Sequence, residues 1–449
     1  MTNSAPLAVI ILAAGKGTRM KSDLPKCLHK IAGRPMIGWL LETAQSLKAE
    51  KIITVISPDG QAVGDAVAPH ETAVQTTAQG TGDAVKAALP ALGDFKGDVL
   101  ILLADMPFIS VETLQWLIEA RHKDSDTGLS VLGAEFENPP AFGRLILDGS
   151  GALEKIVEDK DATDIERSVK LCNMGAFCVA GEHLAEWVGK IGNDNAQNEY
   201  YITDLVEIVR GFDMNAHVHV VRNHEEIHGV NSRADLALLE VKAQDKLRLN
   251  AMQNGATLMD PASTYFSFDT KLGRDVVVEP GVFFGKGVTV GDNVTIHAYS
   301  HIEGAIIEDG AEIGPFARIR PKSKIGKKVT VGNFIEVNRS EMKEGSKAKH
   351  LCYLGDAVIG KKSNIGAGTV IANYDGFNKH DTILGDGVFV GSNSTIVAPL
   401  EVGDGALLAA GSTITGDVPK DALAIARNQE DIYPGRAAER RARKQKEKS

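Results

Sequence analysis

The stretch "GKGVTVGDNVTIHAYSHI", Gly285–Ile302, places an aliphatic residue at every sixth position, Val290, Ile296 and Ile302. A six-residue period implies short strands joined by tight turns, with the aliphatic side chain pointing inward and Gly admitting the turn. Outward from that stretch the register takes in Val278 and Phe284, and after a one-residue slip it resumes at Ile307, Ile313, Ile319, Ile325, Val331 and Val337. It reappears at Ile359, Ile365 and Ile371, then at Leu384, Val390, Ile396, Val402, Leu408 and Ile414. So many registered positions predict a parallel β-helix, a solenoid whose neighbouring coils cover one another's edges. The pattern breaks in "NRSEMKEGSKAKHLCYLGD" (338–356) and in "ANYDGFNKHD" (372–381), which predicts loops leaving the prism at both places.

Before the repeats, "SRADLALLEVKAQDKLRLNAMQNG" (232–255) is charged and free of Pro, and Leu236, Leu239, Ala243, Leu247 and Ala251 line one side of a helix. It reads as a linking helix that ends near Gly255. The first half alternates instead. "LAVIIL" (7–12), "KIITVIS" (51–57) and "DVLILLAD" (98–105) are short, apolar and rich in β-branched residues, as buried strands are. Between the first two, Ile37, Leu40, Leu41, Ala44 and Leu47 recur at helical spacing. Strand–helix–strand alternation predicts an α/β domain, a parallel sheet with helices on both sides. Ligands of such sheets bind beyond the carboxyl ends of the strands, the edge at which the loop after Leu12 and Asp105 both fall. The predicted organisation is therefore an α/β domain over 1–233, a linking helix over 234–254 and a β-helix over 255–449.

A chain of 449 residues exceeds one compact core, which agrees with that division. With 46 Gly and only 5% aromatic residues it suits tightly turned architecture. The net charge of −10 argues against a general nucleic-acid binder. The basic tail "GRAAERRARKQKEKS" (435–449) reads as a solvated, frayed terminus rather than a phosphate-binding arm. Cys27, Cys172, Cys178 and Cys352 show neither a CxxC pair nor zinc spacing and read as reduced thiols. The longest early apolar run, Leu7–Ala14, is far short of a membrane span and no basic segment precedes it, so a cytoplasmic protein without membrane insertion is expected.

"LAAGKGTRM" (12–20) lacks the third glycine of the dinucleotide fingerprint and the GxxxxGK(S/T) pattern of an ATPase phosphate loop. Gly15 and Gly17 let backbone N–H groups approach a phosphate, and Lys16, Arg19 and Lys26 add positive charge. A nucleotide or sugar-phosphate site and a plain surface turn both satisfy these facts.

"LAAGKGTRM" followed by "LPK" resembles the signature of sugar-1-phosphate nucleotidyltransferases. "QGTGDA", "LLADMPF", "FGRLI", "KIVEDKDAT", "CNMG", "NEYYITD" and "GVN" follow in that family's order. With the hexapeptide half, residues from about 7 to 430 resemble the bacterial bifunctional family that joins glucosamine-1-phosphate acetyltransferase to N-acetylglucosamine-1-phosphate uridylyltransferase. The resemblance implies a Rossmann-like first domain, a left-handed β-helix, two transferase reactions that make UDP-N-acetylglucosamine, and a homotrimer.

For the first reaction the resemblance implies UTP and Mg²⁺, with Asp105 and Asn231 as the metal's protein ligands. Taken alone these two read as a strand-end cap and a helix N-cap rather than as metal ligands. It further implies that Leu12, Ala13, Ala14 and Gly15 lie along the nucleotide, with Arg19 and Lys26 on phosphates. Gln75, Gly80 and Thr81 are implied at the uracil, and Gly143, Glu158 and Asn173 at the amino sugar. Leu103 and Ala104 precede Asp105 in the same motif, and Leu103 stands where relatives often have Tyr, so its contact is expected through the main chain.

For the second reaction it implies acetyl-CoA, with His350 taking a proton from the attacking amine; an isolated loop His is otherwise an ordinary surface residue. No covalent acyl-enzyme is needed, so Cys352 reads as filler. Arg320, Asn338, Tyr353 and Asn364 match glucosamine-1-phosphate positions, and Ala367, Asn373, Tyr374, Ser392, Ala410 and Arg427 match the acetyl-CoA groove. One departure stands out. Asn338 occupies a position where the family usually has the first Lys of a pair, and Arg339 is expected to replace part of the lost charge. The competing reading is a single-activity nucleotidyltransferase with a regulatory β-helix, which needs neither the His350 segment nor "ANYDG".

Overall fold

The computed structural model describes residues 5–447, so the first residues of the 1–233 reading and the last two of the basic tail lie outside it. The chain divides into two compact units, Met1–Ala243 and Gln244–Ser449.

In the first unit the strand Leu7–Leu12 pairs in parallel with Lys51–Ile56 on one side and Asp98–Leu103 on the other, as predicted. Glu71–Val74 extends the sheet beyond Lys51–Ile56. The strand order therefore reverses between Leu7–Leu12 and Asp98–Leu103, and the carboxyl ends of these two strands open on a crevice. Side chains alternate between two cores. Ile10, Ile53 and Ile101 pack with Val85 and Trp187 on one face, and Val9, Ile11 and Leu100 with Ile37, Leu40 and Leu117 on the other. The expected all-parallel sheet is not found. Leu171–Ala180 runs antiparallel to both Asp98–Leu103 and Thr127–Glu135, and Asn215–Val220 forms the edge. The reason is the connection: between Glu135 and Leu171 the chain makes the hairpin Arg144–Leu147/Leu153–Val157 in place of a crossover helix, so it returns from the opposite end.

The second unit is a left-handed parallel β-helix of three parallel sheets with ten, eight and eight strands. Most strands are two residues long, one side chain outward and one inward. Every inward residue named from the six-residue register is buried, and they stack coil on coil: Val278 on Ile296, Ile296 on Ile313, Ile313 on Val331. The slip after Ile302 falls at Gly304, whose φ of +51° suits glycine.

One predicted interruption is corrected. Residues 338–356 do not leave the prism; Met342, Ala348 and Leu354 occupy inward positions on the strands Glu341–Met342, Lys347–His350 and Tyr353–Gly355. The spacing persisted there, but Met and Ala without a following Gly hid it. The second interruption is real: the chain departs after Ala372 and returns at Thr382, pinned by a bridge between Tyr374 and Lys379. The prism also starts earlier than the register showed, with Leu258 and with Phe266 stacked on Phe284 at 5.1 Å.

The helix Arg233–Gln253 buries Leu239 and Ala243 from its predicted face and stops before Gly255, at φ +97°. Its buried Gln244 donates to Phe266 O and accepts from Phe266 N, while Arg248 Nε donates to Thr264 O at 2.8 Å. The basic tail is a helix over Arg436–Lys446, exposed throughout, and not a frayed end. All four cysteines are buried and unpaired. Among the described residues no helix is long and apolar enough to cross a membrane.

Candidate active sites

The crevice at the sheet's switch point is a cleft of about 310 Å³. Leu12, Ala13, Ala14 and Gly15 form one wall, Gln75, Gly80 and Thr81 another, and Leu103, Ala104 and Asp105 a third, so all of these sequence-predicted positions meet. Cys27, Ala78, Ala84 and Glu199 also line it and were not expected. Two glycines make the walls possible. Gly17 has φ +56°, and a Cβ there would stand 2.8 Å from Lys26 Cβ. Gly80 has φ +108°, and its Cβ would meet Tyr200 O at 2.6 Å. Gln75 Nε2 donates to Gly80 O at 3.0 Å and to Asp83 Oδ2 at 2.8 Å, which leaves Oε1 to accept from a ligand.

Charge gathers at the floor. Lys26 Nζ lies 2.6 Å from Asp105 Oδ2 and 3.2 Å from Asn231 Oδ1, and Arg19 Nη2 donates to the same Asn231 oxygen at 2.8 Å. Three segments distant in sequence, the loop carrying Arg19 and Lys26, the strand end at Asp105 and the segment of Asn231, thus converge on one point. Asn231 stands at the helix start, held by an acceptor that sequence reading passed over: Asp235 Oδ2 accepts from Asn231 N, Ser232 N and Ser232 Oγ at 2.9, 2.8 and 3.0 Å. The Ser-x-x-Asp spacing was the available signal. Burial pushes the Asp235 carboxyl pKa up, but these bonds outweigh it and hold it below the usual carboxylate value. Arg233 ties the same segment to the glycine loop, donating from Nε to Met20 O at 3.2 Å.

Gly143, Glu158 and Asn173 form a second cluster. A Cβ on Gly143 would lie 3.4 Å from Glu158 Oε1 and 3.5 Å from Asn173 Cβ, and Asn173 N donates to Gly143 O. Burial raises the Glu158 carboxyl pKa, opposed by the Thr203 hydroxyl that donates to it at 3.1 Å. Asp204, beside Thr203, is pushed up to about 6, first by burial and then by Glu207, Glu158 and Asp161.

On the prism, His350 ends the strand Lys347–His350, and its Nδ1 lies 2.9 Å from Asn333 Oδ1 one coil below. An amide oxygen only accepts, so Nδ1 is the donor in this contact, and in the neutral ring Nε2 is the nitrogen left to accept. Asn333 was missed; only the coil spacing points to it. From His350 the predicted residues climb one corner. His350 O accepts from Gly368 N, Ala367 O from Asn393 N, Ser392 O from Gly411 N, and Ala410 O from Arg427 Nη1. Cys352 is buried with its thiol against His350 O and Gly366 O, and burial pushes the thiol pKa up, as filler and not as a nucleophile.

Arg320, Asn338, Tyr353 and Asn373 gather at the next corner. Arg320 Nη1 donates to Glu336 Oε1 at 2.8 Å, and Asn338 Nδ2 reaches Tyr353 Oη at 3.4 Å. Arg339 does not stand in for a missing Lys: Nε and Nη2 are committed to the two oxygens of Asp356 at 2.6 and 2.7 Å. Its charge is already neutralised. Asn364 lies on the strand leading into Ala367, and Tyr374 is exposed on the projecting loop; among the described residues no hydrogen bond joins either to His350.

Comparison with known proteins places both halves. A MobA-like NTP transferase domain model matches residues 9–170, a bacterial transferase hexapeptide model of six repeats matches 269–304, and a GMPPB C-terminal domain model matches 301–402. The "Bifunctional protein GlmU" of Paramagnetospirillum magneticum is 46% identical over 446 residues, covering 99% of each chain. That of Zymomonas mobilis is 43% identical over 99% of this chain and 100% of its own. That of Maricaulis maris is 48% identical over 98% of each.

Proposed function

Because this chain belongs to the GlmU family of bifunctional transferases, we propose that its two clusters divide the labour of making UDP-N-acetylglucosamine, uridylyl transfer over 1–233 and acetyl transfer over 255–449, joined by the helix of 234–254. The observation that carries the first half is the meeting of Arg19, Lys26, Asp105 and Asn231. Two polyanions must approach there, so positioning and charge neutralisation supply most of the rate. A phosphate oxygen of N-acetylglucosamine-1-phosphate attacks the α-phosphorus of UTP, one P–O bond forms, and the bond to pyrophosphate breaks. Lys26 and Arg19 hold phosphate oxygens, Gln75 and the backbone near Gly80 face the base, and Gly143, Glu158 and Asn173 hold the sugar.

Asp105 and Asn231 fit Mg²⁺. They offer two hard oxygens around one point and leave the remaining positions to phosphates and water. When bound, the ion supplies charge neutralisation to the phosphates.

In the second half, His350 Nε2 accepts the proton as the amine nitrogen of glucosamine-1-phosphate attacks the thioester carbon. The C–S bond breaks, and the departing coenzyme A sulfur takes the proton that His350 accepted, leaving as the thiol. Arg320 and Tyr353 hold the sugar phosphate, and the corner of Ala367, Ser392, Ala410 and Arg427 holds acetyl-CoA. Asn364 and Tyr374 complete these sites from neighbouring copies in a homotrimer. The exposed ladder Tyr299, Phe316 and Phe334 supports that assembly, its rings stacked at 5.3 and 5.2 Å. All three adopt φ of +56 to +57°, a conformation costing bulky residues about 1 kcal/mol or more each. Packing against a second copy offsets that cost.

The test supplies UTP, acetyl-CoA, glucosamine-1-phosphate and Mg²⁺ together and identifies the product by mass. UDP-N-acetylglucosamine is expected. UDP-glucosamine alone, or no free thiol, would leave the single-activity reading.

A further inference from the structure

Gly355 carries no side chain at the point where the two acetyl half-sites meet. A Cβ there would stand 2.6 Å from Tyr353 Oη and 2.7 Å from Asn373 Nδ2. Both of these neutral groups are tethered from behind. Asn373 donates from Nδ2 to Asp356 Oδ2, and Arg339 grips the same carboxylate with its parallel pair of N–H donors. The third nitrogen of Arg339, Nη1, donates to Asn338 Oδ1 at 3.2 Å, and Asn338 Nδ2 faces Tyr353 Oη. The hydrogen bonds thus run Asn373–Asp356–Arg339–Asn338–Tyr353 and close around Gly355. The middle of that chain is sheltered, with the Asp356 side chain only 10% exposed.

We propose that the Arg339–Asp356 pair is a positioning device that fixes Tyr353 and Asn373 relative to each other, so that acceptor phosphate and acetyl donor are aligned before His350 acts. The proposal rests on the reading that Tyr353 meets the sugar phosphate and Asn373 meets acetyl-CoA. A hydroxyl and an amide held by single neutral bonds would sample several rotamers. A two-pronged guanidinium–carboxylate pair has one geometry, and it transmits that geometry to both. Asn338 is the required link: its amide accepts from Arg339 and donates toward Tyr353, which a lysine ammonium, having donors only, does not do. Neither Arg339 nor Asp356 touches substrate in this scheme.

The experiment follows acetyl transfer by free-thiol release in the full chain. Asp356→Asn removes the charge and one acceptor while keeping the shape. It is expected to raise KM for both glucosamine-1-phosphate and acetyl-CoA about tenfold, with kcat and thermal midpoint nearly unchanged. Arg339→Lys, which keeps the charge and loses the fork, is expected to raise both KM values about threefold. Because Asp356 acts on the donor through Asn373, Asp356→Asn should add nothing to the acetyl-CoA KM of Asn373→Ala. A general loss of stability gives no such saturation. If Asp356→Asn lowers the thermal midpoint but moves neither KM, or moves only one, the proposal is overturned. Tyr353→Phe and Asn373→Ala separate the two levels. If they raise the sugar and the donor KM respectively while Asp356→Asn and Arg339→Lys do not, the positioning pair fails and the site stands. If they change neither, both fail together.

Discussion

The two units reach a candidate active site by opposite routes. In the first, Arg19, Lys26, Asp105 and Asn231 come from segments far apart, and a sheet with helices on both faces is needed to bring them to one crevice. In the second, His350, Ala367, Ser392 and Ala410 come from successive coils, and the repeat itself places them along one corner. The first site is enclosed by its own chain; the second is a strip on a surface. The difference teaches where each is vulnerable. A crevice fails when one converging group is lost. A strip fails when whatever closes over it is lost.

The largest effect that would break this contrast comes from the floor of the crevice. Asp105→Ala removes the carboxylate facing Lys26 and one candidate metal oxygen, and uridylyl transfer should fall about a thousandfold. Acetyl transfer, assayed in the same sample as free thiol, should be unchanged. His350→Ala should give the reverse pattern with a loss of about a hundredfold. If either variant abolished both activities, the division of labour between the units would be wrong.

The next effect tests the open strip. A charge placed in the aromatic ladder, Phe316→Asp or Phe334→Asp, disrupts an apolar contact at an outward corner while leaving inward residues untouched. Light scattering should show the proposed trimer in the parent chain and a shift toward monomer in the variant. Acetyl transfer should fall with it about tenfold or more, and uridylyl transfer should persist. A variant that is monomeric yet fully active in acetyl transfer would show that one chain suffices.

A smaller effect sharpens the account of His350. Asn333→Ala removes the acceptor that fixes the imidazole tautomer, so the proton is free to sit on either nitrogen. The acetyl-transfer kcat should drop about tenfold with both KM values held. A changed KM with an unchanged kcat would instead make Asn333 a binding group.

Legibility followed the same divide. The prism could be read from one repeated stretch, because an inward aliphatic every six residues is a local signal and each coil repeats it. It was lost at the first coils, around Leu258 and Phe266, and again where Met342 and Ala348 filled the inward position, since neither of the latter looks like the Val, Ile or Leu of the register. In the first unit the parallel strands were legible, but the antiparallel return of Leu171–Ala180 was not, because it depends on which edge a hairpin leaves open. The glycines and cations of the loop suggested an anion without naming it; the strand pattern put Asp105 at the binding edge, and the resemblance supplied its role together with Asn231 and His350. Residues that hold others in place were hardest to see. Asn333 and Thr203 have meaning only once their partners across the fold are known, whereas Asp235 was open to reading from its local Ser-x-x-Asp spacing.

The smallest effect bears on the stability of the two regions. On the prism's projecting loop, Asp375 accepts from the backbone of Asn378 and Phe377 and from His380, and the first of these contributes most to holding its carboxyl well below the usual value. Such a group favours the folded state above its unfolded pKa and loses that contribution as pH falls. Asp204 in the first unit does the opposite. Its folded value of about 6 lies above the ordinary 3.8, so the folded state holds the proton more tightly. Stability is then highest below the unfolded value and declines as pH rises through about 6. Asp204→Asn, which cannot ionise, should remove that penalty. After discounting for partial exposure, the gain is about 1 kcal/mol at pH 8 and close to none at pH 4. Denaturant unfolding followed by tryptophan fluorescence reads this unit alone, because the three tryptophans, Trp39, Trp116 and Trp187, all belong to it. An equal shift at both pH values would mean that the substitution acts through packing, and that the enclosed carboxylates carry no electrostatic strain.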